Sequence, residues 1–142
     1  LIIFATMGRI MAIDYGTKRV GIAVTDPLKI IARGLTTVHS SELISYLKEY
    51  IKKEEVECIV VGKPKHLDGS DSDADRFIEP FVMHLKRSFP GVKVDREDER
   101  FTSKMAFKTM IDSGLKKKDR QNKELVDEIS ATIILQSYMN RI

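Results

Sequence analysis

The chain has 142 residues, of which 42% are hydrophobic and 32% charged, and its formal net charge is +3. A chain of this length forms one domain of ordinary size and buries a core without disulfides or structural metal. No apolar run reaches the roughly 20 residues that a membrane-spanning helix requires, so we expect no membrane partner.

The N-terminus and the single cysteine bear on processing and location. Residues 1–5 are apolar but too short for a secretory signal, and no basic segment precedes them, whereas Met7 resembles an ordinary start. We interpret residues 1–7 as an N-terminal extension or upstream start and residues 8–142 as the domain. Cys58 lies in an apolar run and has no second cysteine to pair with, which fits a reducing cytoplasm.

The first forty residues predict three antiparallel strands. Residues 10–15 and 20–25 are rich in strand-forming residues and flank a turn at 16–19, the pattern of a hairpin. Residues 35–38 predict a third strand after the breaks at Pro27 and Gly34.

The rest of the chain predicts alternating helices and strands. In order, we expect a helix at 41–55, a buried strand at 56–62, a helix at 73–89 that Pro80 kinks or restarts, a strand at 92–95, and helices at 102–112 and 124–138. In the predicted 73–89 helix, Phe77, Phe81 and Leu85 recur every four residues. The order predicts an α/β fold in which a mixed five-stranded sheet, three antiparallel strands and then parallel βαβ units, is flanked by helices. That order is the ribonuclease-H-like one.

Three acidic residues stand where this fold would bring them together. Asp14 lies inside the first strand, Glu99 follows the last strand, and Asp127 lies on the apolar stripe of the closing helix. Carboxylates gathered at one rim repel one another unless a divalent cation offsets their charge. Because the ligands are hard oxygens without His or Cys, we expect Mg²⁺ or Mn²⁺, which could activate water and stabilise the leaving oxygen in phosphodiester cleavage.

Each acid also has a purely structural interpretation. Asp14 could cap the hairpin turn at Gly16, and Glu99 belongs to an acidic run that is typical of a solvated loop. Asp127 could simply favour the positive end of the helix macrodipole. Only the shared location of the three acids favours catalysis.

Basic residues surround the predicted rim, in the hairpin turn, beside Glu99 and in the segment before the last helix. Any one of them reads equally well as a solvated surface charge, but together they predict contacts with nucleic-acid phosphates. The predicted contact residues are Lys18, Arg19, Arg100, Lys116, Lys117, Lys118, Arg120 and Lys123.

Four motifs cover nearly all of residues 8–140. They are IDYGTKRVGIAV at 13–24, GKP at 62–64 with DG at 68–69, DERFTS at 98–103, and VDEISATIILQSY at 126–138. In residue type and order they resemble the YqgF or RuvX family of bacterial ribonuclease-H-like proteins, described as pre-16S rRNA nucleases and earlier as Holliday junction resolvases. Lys63, Lys65 and Ser103 depart mildly from the family pattern, which bears on substrate preference more than on chemistry.

The resemblance implies a divalent-metal-dependent endonuclease that matures the 5′ end of 16S ribosomal RNA in the cytoplasm, with Asp14, Glu99 and Asp127 as catalytic residues and metal ligands. Ribosomal precursor particles become candidate partners, and we expect a monomer or weak dimer.

Three alternatives stay open at the level of sequence. The protein could resolve four-way DNA junctions, for which paired cuts would require a symmetric dimer. It could also be a ribosome assembly factor that binds nucleic acid without cutting it. An ATPase with a phosphate-binding hairpin is disfavoured, because such enzymes close two domains of this kind around ATP and this chain supplies one.

Overall fold

The structure is a computed structural model that describes residues 8–66, 68–99 and 122–142. Its elements in chain order are β1 (Arg9–Tyr15), β2 (Arg19–Thr25), β3 (Ala32–His39), a short 3₁₀ helix (Ser40–Glu42), α1 (Leu43–Lys53), β4 (Val56–Lys63), α2 (Asp75–Ser88), β5 (Lys93–Asp98) and α3 (Lys123–Arg141). The helix predicted at 102–112 lies outside the described residues.

The five strands form one sheet in the order β3-β2-β1-β4-β5. Strands β1, β2 and β3 pair antiparallel, whereas β1 pairs with β4, and β4 with β5, in parallel. The predicted fold class is therefore confirmed. Because β1, β4 and β5 are parallel, their carboxyl ends meet at one edge of the sheet, together with the amino end of β2.

The sheet separates two apolar cores, because successive residues of a strand face opposite sides. On one side α1 and α2 cover the sheet, and their buried residues include Leu43, Leu47, Phe81 and Leu85. On the other side α3 packs against small and branched residues of the central strands. That second core contains Ile10, Ala12, Ala23, Cys58, Val60, Ala131, Ile134, Leu135 and Tyr138.

Helix α2 corrects one detail of the prediction and adds another. The helix runs without a restart from Asp75 to Ser88 with Pro80 inside it, at the cost of one backbone hydrogen bond. Phe77 is 58% exposed and lies outside the core, although it shares the four-residue spacing of Phe81 and Leu85. The buried face of α2 instead consists of Asp75, Ile78, Phe81, Val82 and Leu85.

Strand β5 is longer than the predicted strand at 92–95 because two of its acidic residues find partners on α3. The Tyr138 hydroxyl donates to Asp95 at 2.9 Å, and the Ser137 hydroxyl donates to Glu97 at 2.6 Å. Tertiary contacts thus stabilise a strand whose sequence resembles a solvated loop.

None of the helices in the described ranges has the length and apolar character needed to cross a bilayer.

Candidate active site

Asp14 lies near the carboxyl end of β1, on the side of the sheet that α3 covers. Its neighbours on both adjacent strands are glycines: Gly21 pairs with Asp14 across β1 and β2, and Gly62 follows Val61, the partner of Ile13 on β4. Because neither glycine has a side chain, other parts of the chain can approach the sheet closely on either side of Asp14.

Asp127 occupies the space above Gly21. A Cβ atom added to Gly21 would overlap the carbonyl oxygen of Asp127 and lie 3.1 Å from its Cβ atom. The first turns of α3 therefore rest directly on the sheet at this point, which brings Asp127 beside Asp14. A helix N-cap at Asn122, whose side chain accepts hydrogen bonds from the backbone of Glu124 and Leu125, sets where α3 begins.

Glu99 occupies the space above Gly62. A Cβ atom added to Gly62 would overlap Oε2 of Glu99 and lie 2.8 Å from Cδ1 of Ile134. The backbone N–H of Glu99 donates to the carbonyl of Lys63 at 3.1 Å, so parallel pairing extends just past the end of β5. The Glu99 carboxylate thus folds back over β4 toward Asp14.

The pKa values of these carboxyls reflect the crowding. Burial and, to a lesser extent, the negative charge of Asp127 together raise the pKa of Asp14 to about 6. Burial and the negative charge of Asp14, opposed by Arg96, raise the pKa of Glu99 to about 8. Asp14 therefore interacts electrostatically with both of the other acids.

Asp127 has a protein partner of its own. Nε of Arg19 donates to Oδ2 of Asp127 at 2.7 Å. Within the described ranges, no three His, Cys, Asp or Glu side chains are close enough together to hold a metal ion. The carboxylate oxygens of the half-buried Asp14 and Glu99 fit a hard divalent cation, whereas Oδ2 of Asp127 is already engaged by Arg19.

The hairpin turn between β1 and β2 forms the other wall of the site. A cavity of about 300 Å³ is lined by Asp14, Tyr15, Gly16, Thr17, Lys18, Arg19 and Asp127. Two hydrogen bonds from Ser40 stabilise this turn. The Ser40 hydroxyl donates to the Thr17 carbonyl at 2.6 Å, and the Ser40 backbone N–H donates to the Lys18 carbonyl at 3.0 Å. The exposed side chains of Lys18 and Arg19 are therefore presented on a fixed backbone.

The structure locates three of the predicted basic contacts. Lys18 and Arg19 line the cavity, and Lys123 is the exposed first residue of α3. The others lie outside the described residues; they are Arg100, Lys116, Lys117, Lys118 and Arg120.

Arg96 is a supporting residue that sequence reasoning missed. Its guanidinium donates to the carbonyls of Val61 at 3.1 Å and Gly62 at 3.0 Å, at the carboxyl end of β4. It also pairs with the buried Asp75 at 2.7 Å and with Glu79. In the sequence Arg96 lies among acidic residues, so it resembles one more solvent-exposed charge of a loop. Only the register of the sheet shows that its side chain faces α2.

Comparison with known proteins agrees with this architecture. The family model described as "RuvX: Holliday junction resolvase" matches residues 8–141. A protein of Flavobacterium psychrophilum is 59% identical over 135 residues, covering 95% of this chain and 98% of its own. A protein of Bacteroides fragilis is 58% identical over 133 residues, covering 94% and 96%. Both carry the name "Putative pre-16S rRNA nuclease".

A solved structure shares the fold at low sequence identity. RuvC of T. thermophilus, in complex with a Holliday junction substrate, superposes with a TM-score of 0.57 and 15% identity over 94% of this chain and 96% of that one. The sheet order, the glycine-flanked Asp14 and the family match over residues 8–141 are mutually consistent. The chain belongs to the RuvX family.

Proposed function

We propose that this protein is a divalent-metal-dependent nuclease that hydrolyses phosphodiester bonds, acting in 5′-end processing of pre-16S rRNA during ribosome biogenesis. The observation that carries the proposal is the placement of Asp14 between two glycines, with Asp127 folded over one and Glu99 over the other. Crowded, desolvated carboxylates beside an open, basic turn are suited to a reaction on a phosphate ester.

Asp14, Glu99 and Asp127 would hold Mg²⁺ or Mn²⁺ in this proposal. A bound cation would supply Lewis-acid chemistry, polarising a phosphoryl oxygen and lowering the pKa of a water molecule. The carboxyls of Asp14 and Glu99 would have to lose their protons before they could serve as ligands. Lys18 and Arg19 would orient the phosphate backbone across the cavity.

Further phosphate contacts are proposed for the other basic residues around the rim, namely Arg100, Lys116, Lys117, Lys118, Arg120 and Lys123. Such contacts position the strand and do not read its sequence. We place the reaction in the cytoplasm, with ribosomal precursor particles as the partner.

The relatives favour pre-rRNA as the substrate, because proteins 58% and 59% identical to this chain, over nearly their whole length, carry that name. A second candidate is a four-way DNA junction, which the family description favours. A junction resolvase makes paired symmetric cuts and so acts as a two-fold dimer, whereas RNA processing has no such requirement.

The discriminating experiment incubates the full chain with a 5′-extended 16S precursor and with a four-way junction, in Mg²⁺, Mn²⁺ or EDTA. Asp14→Asn is expected to lower the cleavage rate by at least ~100-fold, because it removes the central carboxylate of the set. Lys52→Gln, on the opposite face of the sheet, serves as the matched control. Cleavage that survives Asp14→Asn would come from a contaminating nuclease and would overturn the proposal, and tight binding without cleavage would favour an assembly factor.

A further inference from the structure

The ion pair between Arg19 and Asp127 lies at the mouth of the candidate site. The Arg19 side chain is 43% exposed and that of Asp127 is 20% exposed, so the pair borders solvent. Arg19 precedes Gly21 by two residues and therefore faces the same side of β2. Because α3 rests on Gly21, Asp127 comes within reach of this guanidinium.

The position of Arg19 conflicts with the proposed role of Asp127. The guanidinium takes Oδ2 of the carboxylate that would be the third ligand of the cation. A metal that binds through Oδ2 must displace Arg19, and a metal that binds through Oδ1 shares the negative charge of the carboxylate with the guanidinium, so either way the two cations compete. Breaking the ion pair between Arg19 and Asp127 costs little free energy, because ion pairs that are open to solvent are weak.

Substrate provides an alternative partner for Arg19. A guanidinium binds phosphate through two parallel hydrogen bonds, as it binds a carboxylate. The side chain stands on the hairpin turn that lines the same cavity as Asp14 and Asp127, and this is where the backbone of a bound strand would pass.

We propose that Arg19 is a positioning residue that competes with the metal for Asp127 in the free protein. When nucleic acid binds, a phosphate of the strand replaces the Asp127 carboxylate as the partner of Arg19, and the carboxylate is released to the metal. The inference rests on the proposed function, since it assumes a cation at the three acids. Metal binding and nucleic-acid binding then reinforce each other through one side chain.

The first test measures Mn²⁺ affinity by calorimetric titration of the full chain without nucleic acid. Arg19→Gln is expected to bind Mn²⁺ about three- to fivefold more tightly than the wild type, because Asp127 is released. Lys18→Gln is the matched control: it removes one positive charge from the same turn but leaves the Arg19 pair intact, and its affinity should change by less than about twofold.

The outcomes separate this inference from the function on which it rests. If Arg19→Gln binds Mn²⁺ no better than Lys18→Gln, Arg19 does not compete for Asp127, and the pair merely anchors α3. A lowered melting temperature without a gain in affinity would have the same meaning. If the wild type and both variants fail to bind Mn²⁺, the proposed metal-dependent nuclease fails as well.

The second test repeats the titrations with a short, chemically modified strand that resists cleavage. In the wild type this strand should tighten Mn²⁺ binding by a factor similar to the gain in Arg19→Gln, because a phosphate then holds Arg19. In Arg19→Gln the strand should add less than about twofold. An equal gain in both proteins would show that the strand acts through other groups and would overturn the exchange.

Discussion

Asp14 and Glu99 place carboxyl groups where burial opposes their ionisation. A folded-state pKa above that of the unfolded chain means that the folded protein resists losing the proton. Stability from such a group is fully present below the unfolded pKa and is lost as the pH rises through the folded pKa. For Asp14 this window runs from about 4 to about 6, and for Glu99 it extends to about 8.

We therefore expect Asp14→Asn to stabilise the metal-free protein in a pH-dependent way. At pH 3 the substitution should change the free energy of unfolding little, because Asp14 is mostly protonated in both the folded and the unfolded state. At pH 7 the variant should be more stable than the wild type by about 2 kcal/mol, since it removes a buried charge. Urea unfolding in EDTA at both pH values measures this difference, and a difference that does not depend on pH would contradict it.

Two of the three candidate acids stand out in the sequence because each departs from its surroundings. Asp14 interrupts an apolar strand, and Asp127 interrupts the apolar stripe of a helix. The partner of Arg19 could not be predicted, because it depends on how far α3 descends onto Gly21, a distance that no periodicity encodes. The roles of Gly21 and Gly62 likewise appear only once the register of the strands is known.

Helix α3 lies unusually close to the sheet where it crosses β2, and this contact sets the position of Asp127. The backbone of the helix occupies the volume that a side chain at position 21 would need. A second contact anchors the helix near its C-terminal end, where Ser137 and Arg141 donate hydrogen bonds to the buried Glu97 at 2.6 and 2.8 Å. A change at position 21 must therefore tilt the helix or strain the strand.

Gly21→Ala is expected to destabilise the protein by about 2 kcal/mol and to weaken Mn²⁺ binding, because Asp127 moves away from Asp14. The matched control is Gly91→Ala, since a Cβ atom at Gly91 meets no atom within 4 Å. Thermal unfolding and Mn²⁺ titration of both variants measure the two effects. Equal behaviour of the two variants would mean that α3 adjusts freely.

Strand β5 and helix α2 are joined by the buried pair of Arg96 and Asp75. Asp75 is 6% exposed, and the side chain of Arg96 is 18% exposed. A buried carboxylate that loses its partner costs far more than an exposed one.

We expect Arg96→Gln to lower the free energy of unfolding by about 3 kcal/mol, because Asp75 is left without its cation. Lys52→Gln removes a cation from an exposed pair with Glu49 and should cost less than about 0.5 kcal/mol. Urea unfolding of both variants provides the comparison. A cost for Arg96→Gln as small as that of Lys52→Gln would show that the buried pair contributes no net stability.

The element order was predictable because each apolar run has the period of a strand or a helix. The limits of β3 and β5 were not, since those strands contain polar residues that pair only in the folded sheet. The exposure of Phe77 was likewise not predictable, because a four-residue spacing alone does not show which face of α2 meets the core.

At the scale of the whole molecule, the net charge of +3 supplies little general attraction for nucleic acid. Binding must therefore depend on where the positive charges stand. Lys18 and Arg19 lie at the edge of the sheet where the acids meet, whereas Lys52 belongs to α1 on the opposite face.

The salt dependence of binding should reveal this distribution. Lys18→Gln is expected to reduce the slope of log affinity against log salt by about 0.7 to 0.9, the value of one lost phosphate contact. Lys52→Gln should leave the slope unchanged. Fluorescence anisotropy with a labelled strand, over 50 to 200 mM salt in EDTA, measures both slopes, and equal slopes would exclude Lys18 from the interface.

The two hydrogen bonds from Ser40 to the hairpin turn have a thermodynamic consequence. A loop that becomes ordered only on binding loses backbone entropy, and this loss subtracts from affinity. Since the carbonyls of Thr17 and Lys18 already accept hydrogen bonds from Ser40, the backbone of the turn loses its entropy during folding and not on binding. Only the rotamers of the long side chains on the turn are left to be fixed when a strand arrives.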